Sequence, residues 1–133
     1  MKTIEVSTTR REELLDITHL IENVIQESDI NDGLCHIFVP HATSGVIINE
    51  NDDPNITLDF LDVMKSMAPR GSFRHDRIDG NGDAHVKSAI VGASETVPFH
   101  NSELLLGTWQ SIMICEFDGP RKRRKIIVTI IPE

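Results

Sequence analysis

Residue types able to bind anions, coordinate metals or move protons concentrate in two stretches. One is Pro40-His41-Ala42-Thr43-Ser44-Gly45; the other is Arg74-His75 followed by Asp79-Gly80-Asn81-Gly82-Asp83-Ala84-His85. Imidazoles exchange protons near neutral pH and, when neutral, ligate metals. Gly80 and Gly82 allow successive backbone N–H groups to point at one spot, and a helix starting after Asp83 would add unpaired N–H groups that favour an anion. Taken alone, that segment reads at least as well as an ordinary Asn-Gly/Asp-Gly turn feeding a capped helix. His41 follows a strand-ending proline, with Thr43 and Ser44 placed to orient it or touch a ligand; a polar loop is the even alternative. Asn81, Gly82, Asp83, Thr43 and Ser44 are therefore the candidate phosphate-binding residues. The loops are expected to converge on a phosphate- or metal-binding pocket.

Other candidates sit further out. Glu50, in Asn49-Glu50-Asn51-Asp52-Asp53, meets His41 only if the intervening loop is wide. His75 lies among Arg70, Arg74 and Arg77. His41, His75 and His85 together could complete an open tetrahedral metal site, although no HExxH or HxH spacing supports it locally. The run Arg121-Lys122-Arg123-Arg124-Lys125 reads as a solubilising strand start from which one or two arginines, Arg121 first, reach an anionic substrate. It is short and lacks interleaved aromatics, unlike a nucleic-acid surface. Trp109 reads as a core or interface anchor, His36 as a strand residue, His19 as helix surface and His100 as a loop residue. No nucleophile elbow, Walker or dinucleotide loop occurs.

The elements that must position these groups fit one domain spanning residues 1–133. The chain is 39% hydrophobic and 26% charged, an ordinary globular composition. Its formal charge of −8 opposes wholesale binding of a phosphate polymer. No apolar run reaches membrane-spanning length and no signal peptide is evident, so a cytoplasmic protein is expected, with Cys35 and Cys115 as buried reduced thiols.

Alternation predicts strands over Lys2–Ser7 and Glu13–Ile17, and helical spacing predicts a helix from Thr18 to about Ser28. Leu34–Val39 and Val46–Asn49 are predicted to form a hairpin around the His41 loop. Asp53-Pro54 starts a helix whose stripe of Ile56, Phe60, Val63, Met64 and Met67 packs on the sheet before Pro69. Arg70–Gly82 is irregular, and Asp83 caps a short helix with Val86, Ala89 and Ile90 buried. Thr96–Phe99, Gln110–Phe117 and Lys125–Ile131 are strands, the last two turned by Asp118-Gly119-Pro120. Both parities of these final strands are apolar, so both faces should be covered, one side by helices and the other by a neighbouring subunit.

The segments Pro40-His41 to Asp53-Pro54, Asp83-Ala84-His85, Leu105-Leu106-Gly107-Thr108-Trp109-Gln110 and Cys115-Glu116-Phe117-Asp118-Gly119-Pro120-Arg121 resemble the YjbQ-like family, over essentially the whole chain. Its members are often labelled secondary thiamine-phosphate synthases. The resemblance implies an α+β subunit with a curled mixed, largely antiparallel sheet packed by a few helices, assembled as a homotrimer. It also implies a polar pocket at His41, Glu50, His75, Asn81, Asp83 and His85, with His41, Glu50 and His85 as the catalytic candidates. Ala42 replaces a threonine usual in that loop. The implied reaction couples an aminopyrimidine methyl diphosphate to a thiazole phosphate. A divalent ion is expected beside the phosphates: Mg²⁺ suits diphosphate, whereas three histidines suit Zn²⁺. Metal-assisted hydrolysis at a zinc-like centre and non-catalytic capture of phosphate ligands by a trimer are the rival functions.

Overall fold

Apolar residues on both parities of the last long strands set the architecture. The computed structural model describes residues 1–133, with strands β1 (Lys2–Val6), β2 (Glu13–Asp16), β3 (Gly33–Phe38), β4 (Ser44–Glu50), β5 (Ser94–His100), β6 (Glu103–Leu104), β7 (Gln110–Glu116) and β8 (Arg124–Pro132). The helices are α1 (Thr18–Glu27), α2 (Pro54–Met67) and α3 (Gly82–Val91), with a 3₁₀ turn at Arg74–Arg77. The α+β class expected from the sequence holds. The strands form two sheets, β1-β8-β3-β5-β6 and β2-β7-β4, and every pairing is antiparallel.

Both sheets face one core. Ile37, Val97, Ile126 and Val128 from the larger sheet meet Val46, Ile112 and Ile114 from the smaller one, with Ile17, Ile21 and Ile25 at α1. Each fully buried aliphatic side chain contributes about 1.5–3 kcal/mol relative to exposure. Stability is thus concentrated between the sheets, leaving the polar loops free to serve a site. On the opposite face of β7, Cys115 joins the adjoining Phe117, Met64 of α2 and Ala84 of α3 in a second cluster. β7 therefore finds both covers within the chain, without the neighbouring subunit that its double parity suggested. Both cysteines are free and buried, and burial pushes the Cys35 thiol up to about 11 and the Cys115 thiol upward as well.

Two expected hairpins do not form. β3 pairs with β5 and β8, whereas β4 pairs with β7. The His41 loop therefore carries the chain from one sheet to the other. The Asp118-Gly119-Pro120 link does the same between β7 and β8. Apolar alternation signalled each strand but could not choose its partner.

The helices depart from simple amphipathicity in an informative way. α1 buries Ile21, Val24 and Ile25 as expected. Its first turn is held by Asp16, whose carboxylate accepts from Thr18 N at 2.9 Å, while the Thr18 hydroxyl accepts from Ile112 N. α2 starts as anticipated, with Asp53 accepting from Asn55 N and proline in the first turn. Of its apolar stripe, however, only Met64 is buried; Val63 and Met67 stand 56% and 60% exposed. α3 is turned inside out. Gly82, Asp83, Ala84, Lys87 and Ser88 face inward, whereas Val86, Ala89 and Ile90, expected in the core, are exposed. Trp109 is also exposed, so it is not a core residue of this chain.

Candidate functional site

The loop after β3 is fastened by a buried ion network. Arg124, at the start of β8, pairs with Glu116 at the end of β7. Its Nη2 also donates to Thr43 Oγ1 at 2.9 Å and to the Thr43 carbonyl at 3.3 Å. Glu116 accepts a further bond from Thr8 Oγ1 at 2.7 Å. Burial alone would raise the Glu116 carboxyl, yet Arg124 and Thr8 hold it below its ordinary value. Ser44 Oγ donates to the Cys115 carbonyl at 2.8 Å. Thr43 and Ser44, expected as ligand contacts, thus anchor the loop. Arg124 corrects the reading of the basic run: it is a buried clamp rather than a solubilising charge.

His41 is held by the same clamp. The Lys125 N–H donates to its Nε2 at 2.8 Å. A ring that accepts there while neutral carries its proton on Nδ1. Burial, together with Arg124 nearby, lowers the His41 pKa, so the neutral form dominates at neutral pH.

The opposite wall is α3, oriented by a second buried network. Asp83 receives Arg11 at 3.1 and 3.2 Å and Lys87 at 2.8 Å, and Lys87 reaches Glu12 at 3.0 Å. Burial would raise the Asp83 carboxyl; these two cations hold it below its ordinary value. Asp83 is therefore neither the helix cap nor a phosphate contact. Its i,i+4 partner Lys87 turns α3 so that His85 and Ser88 face the His41 loop. The walls approach closely at Gly45, where a Cβ would meet Val91 Cγ2 at 2.4 Å and the Gly92 carbonyl at 2.6 Å.

The expected anion cradle at the α3 N-terminus is already filled. Asp76 accepts from Gly82 N at 2.8 Å and from Phe73 N at 3.1 Å. Asn81 Nδ2 donates to Asp118 at 2.8 Å, and Arg121 pairs with that carboxylate at 3.0 Å. Gly82 and Arg121 are thus committed within the chain. Glu50 accepts from Asp53 N at 3.0 Å, ahead of α2. It lies six residues along β4 from Ser44, roughly 20 Å at a strand's rise, and does not reach the histidines.

What remains is a cleft of about 400 Å³ lined by His41, Ala42, Ser44, His85, Ser88, Ala89, Gly92 and Ala93. His75 packs edge-on against His85, with ring centroids 4.6 Å apart and planes at 75°. His41 and His85 therefore line one cleft, and His75 buttresses His85 from outside. No lysine or arginine lines it. No three His, Cys, Asp or Glu side chains are grouped to hold a metal ion, and His41 Nε2 is engaged by Lys125. The residues of one chain do not fit the tetrahedral three-histidine site. A larger apolar cavity, about 460 Å³, lies at the opposite end of β3, between Leu34, Phe99, Leu105 and Ile131. Of the remaining histidines, His36 bonds Thr96 at 3.0 Å, His19 is exposed near Glu22, and His100 ends β5 beside Asp32.

Sequence reasoning missed both ion networks and Ser88. Glu116 inside Ile-Cys-Glu-Phe, a charge on an otherwise buried strand, was the available signal for the first. Asp83 and Lys87, one helical turn apart, were the signal for the second.

The family model described as UPF0047 protein YjbQ-like matches residues 2–133. The chain belongs to the UPF0047 YjbQ-like family. Among its relatives, UPF0047 protein MJ1081 of Methanocaldococcus jannaschii is 46% identical, with 96% of this chain and 91% of that protein covered. UPF0047 protein YugU of Bacillus subtilis is 45% identical, covering 92% and 93%. The YjbQ-like fold recurs in solved structures. A YjbQ/UPF0047 protein of Clostridium acetobutylicum superposes with a TM-score of 0.93 at 39% identity, covering 98% of this chain and all of that one. A YbjQ-like protein of Sulfolobus solfataricus gives 0.95 at 38%, covering 99% and 96%. No helix is long and apolar enough to cross a membrane.

Proposed function

We propose that this YjbQ-like chain is an enzyme acting on a small phosphorylated or diphosphorylated substrate in the His41–His85 cleft, as a transferase of the secondary thiamine-phosphate synthase type. The observation that carries this reading is the convergence of two imidazoles, from separate elements, on one open cleft whose walls are fixed by satisfied buried ion pairs. Fixed donors aimed at a leaving group require such a rigid frame.

In that reaction the thiazole nitrogen attacks the methylene carbon of the aminopyrimidine. The new C–N bond forms as the C–O bond to diphosphate breaks, and diphosphate leaves with the bonding pair. The protein's part is alignment and charge stabilisation rather than nucleophilic attack. Neutral His41 offers its Nδ1–H, and His85 offers a second imidazole donor. No step requires a metal held by these residues.

Neutral donors alone match a diphosphate poorly, because a desolvated anion needs compensating charge. We therefore infer that a neighbouring copy supplies it, in the homotrimer that the family resemblance implies. Support comes from exposed Leu58, Val63, Met67, Val86 and Ile90 on α2 and α3, whose apolar faces nothing in the chain covers. The free thiols Cys35 and Cys115 favour a cytoplasmic setting. Turnover of aminopyrimidine methyl diphosphate with thiazole phosphate tests the proposal. Thiamine phosphate formation that is lost in His85→Ala and in His41→Ala supports it. Binding without turnover would favour the non-catalytic reading, and turnover unaffected by either substitution would overturn the site.

A further inference from the structure

Two side-chain atoms in this chain are buried without a hydrogen-bond partner: Ser88 Oγ and Asn81 Oδ1. Ser88 lies in α3, and Asn81 is the residue that precedes its first turn. Asn81, His85 and Ser88 are spaced i, i+4, i+7, so the two orphans flank His85 along about 10 Å of helix. Ser88 is 8% exposed and lines the cleft beside His41 and His85. The Asn81 amide is oriented by the Asp118 carboxylate, which can only accept, so its free atom is the oxygen.

An unbonded buried hydroxyl carries a standing desolvation cost. A serine within a helix normally offsets that cost by bonding a carbonyl in the preceding turn. Ser88 does not. Both neighbouring polar networks are closed: Asp83 and Lys87 satisfy each other with Arg11 and Glu12, and Ser44 Oγ is spent on Cys115. The unmet hydroxyl thus sits where the cleft meets the helix, and rotation about a single χ1 moves it between staggered wells.

We propose that Ser88 is a ligand-binding residue, its hydroxyl turning into the cleft to donate to an oxygen of the phosphoryl group held between His41 and His85. This rests on the phosphoryl-substrate reading above and extends it to a residue outside the loop motifs. The cost of the unpaired hydroxyl in the free protein is recovered on binding. Ser88 is then a position where stability is exchanged for affinity.

The probe is pyrophosphate, titrated calorimetrically into wild type, Ser88→Ala and His85→Ala, with Tm recorded for each protein alone. Alanine is the best helix former, so Ser88→Ala keeps α3. The expected result is a Tm at or above wild type together with pyrophosphate binding about tenfold weaker. That combination separates a ligand residue from a structural one, since a hydroxyl that bonds the fold or an internal water would lower Tm on removal. A fall in Tm, or an affinity within about twofold of wild type, a free-energy change of about 0.4 kcal/mol, overturns the proposal. Wild type that does not bind pyrophosphate overturns the substrate reading and Ser88 with it. Binding lost in His85→Ala but kept in Ser88→Ala overturns Ser88 alone.

Discussion

Replacing Glu116 by glutamine keeps the shape of the side chain but strips the charge that Arg124 faces. Glu116 is fully buried and Arg124 is 4% exposed, so solvent cannot take over the role of partner. Removing one member of a buried pair costs about 3–5 kcal/mol, chiefly through the stranded charge. With an unfolding entropy of about 2.1 cal/mol/K per residue, 133 residues turn this into a Tm fall of roughly 11–18 °C. Arg124 also clamps Thr43, and Lys125 next to it holds His41, so the damage should reach the cleft. The double variant Glu116→Leu/Arg124→Met removes both charges and should regain most of the lost stability. It should not regain pyrophosphate affinity, because the Thr43 clamp is gone. Calorimetric unfolding of both variants, with pyrophosphate titrations, reads the two effects separately. A single variant costing less than about 1 kcal/mol, the worth of an exposed pair, would refute the argument. So would a double variant less stable than the single.

Three further outcomes follow from the same geometry. Asp83→Asn leaves Arg11 and Lys87 short of their shared carboxylate and should cost several kcal/mol in chemical denaturation, with the His85 ring environment changed in NMR spectra. Gly92 has φ +91 and ψ 161 and accepts the Val46 N–H, a conformation essentially confined to glycine; Gly92→Ala should destabilise by about 1–3 kcal/mol in urea unfolding. Asp83 and Glu116 have folded-state pKa values below their unfolded ones, so their stabilisation is complete above about pH 4–4.5 and is lost as pH falls through the folded values. His41, lowered from the ordinary imidazole value, binds fewer protons folded than unfolded, so stability should also fall as pH drops below about 6.5. His41→Asn should flatten that upper limb of the Tm–pH curve.

Much of the architecture was legible because alternation and capping are local. β2, β7, β8, the Asp53-Pro54 start of α2 and the turn at Pro40 all emerged from neighbouring residues. Partner choice did not, since β3 and β4 carry the same apolar signal as a hairpin and only the shared core sorts them into different sheets. The candidate site divides along similar lines. His41 and His85 come to line one cleft while, of the two, His75 touches only His85, as loops rich in polar residues at the ends of regular elements can do. Thr43, Ser44, Gly82, Asp83 and Arg121 have the right chemistry for a phosphate, but each is bound within the fold by a partner tens of residues away or by a short local bond. Sequence gives a residue's capacity, not how much of it the fold has already used. α3 shows this most clearly: its apolar residues suggested the buried face, while the Asp83–Lys87 pair determines it.

The central claim, that His41 and His85 line one phosphoryl-binding cleft, is tested most directly by side-chain ¹⁵N NMR of the six histidines during a pyrophosphate titration. The expected spectrum shows His41 neutral with its proton on Nδ1, His41 and His85 shifting together on titration, and His19, His36 and His100 unmoved. Shifts confined to the latter three, or an unresponsive His41 and His85 pair, would contradict the account.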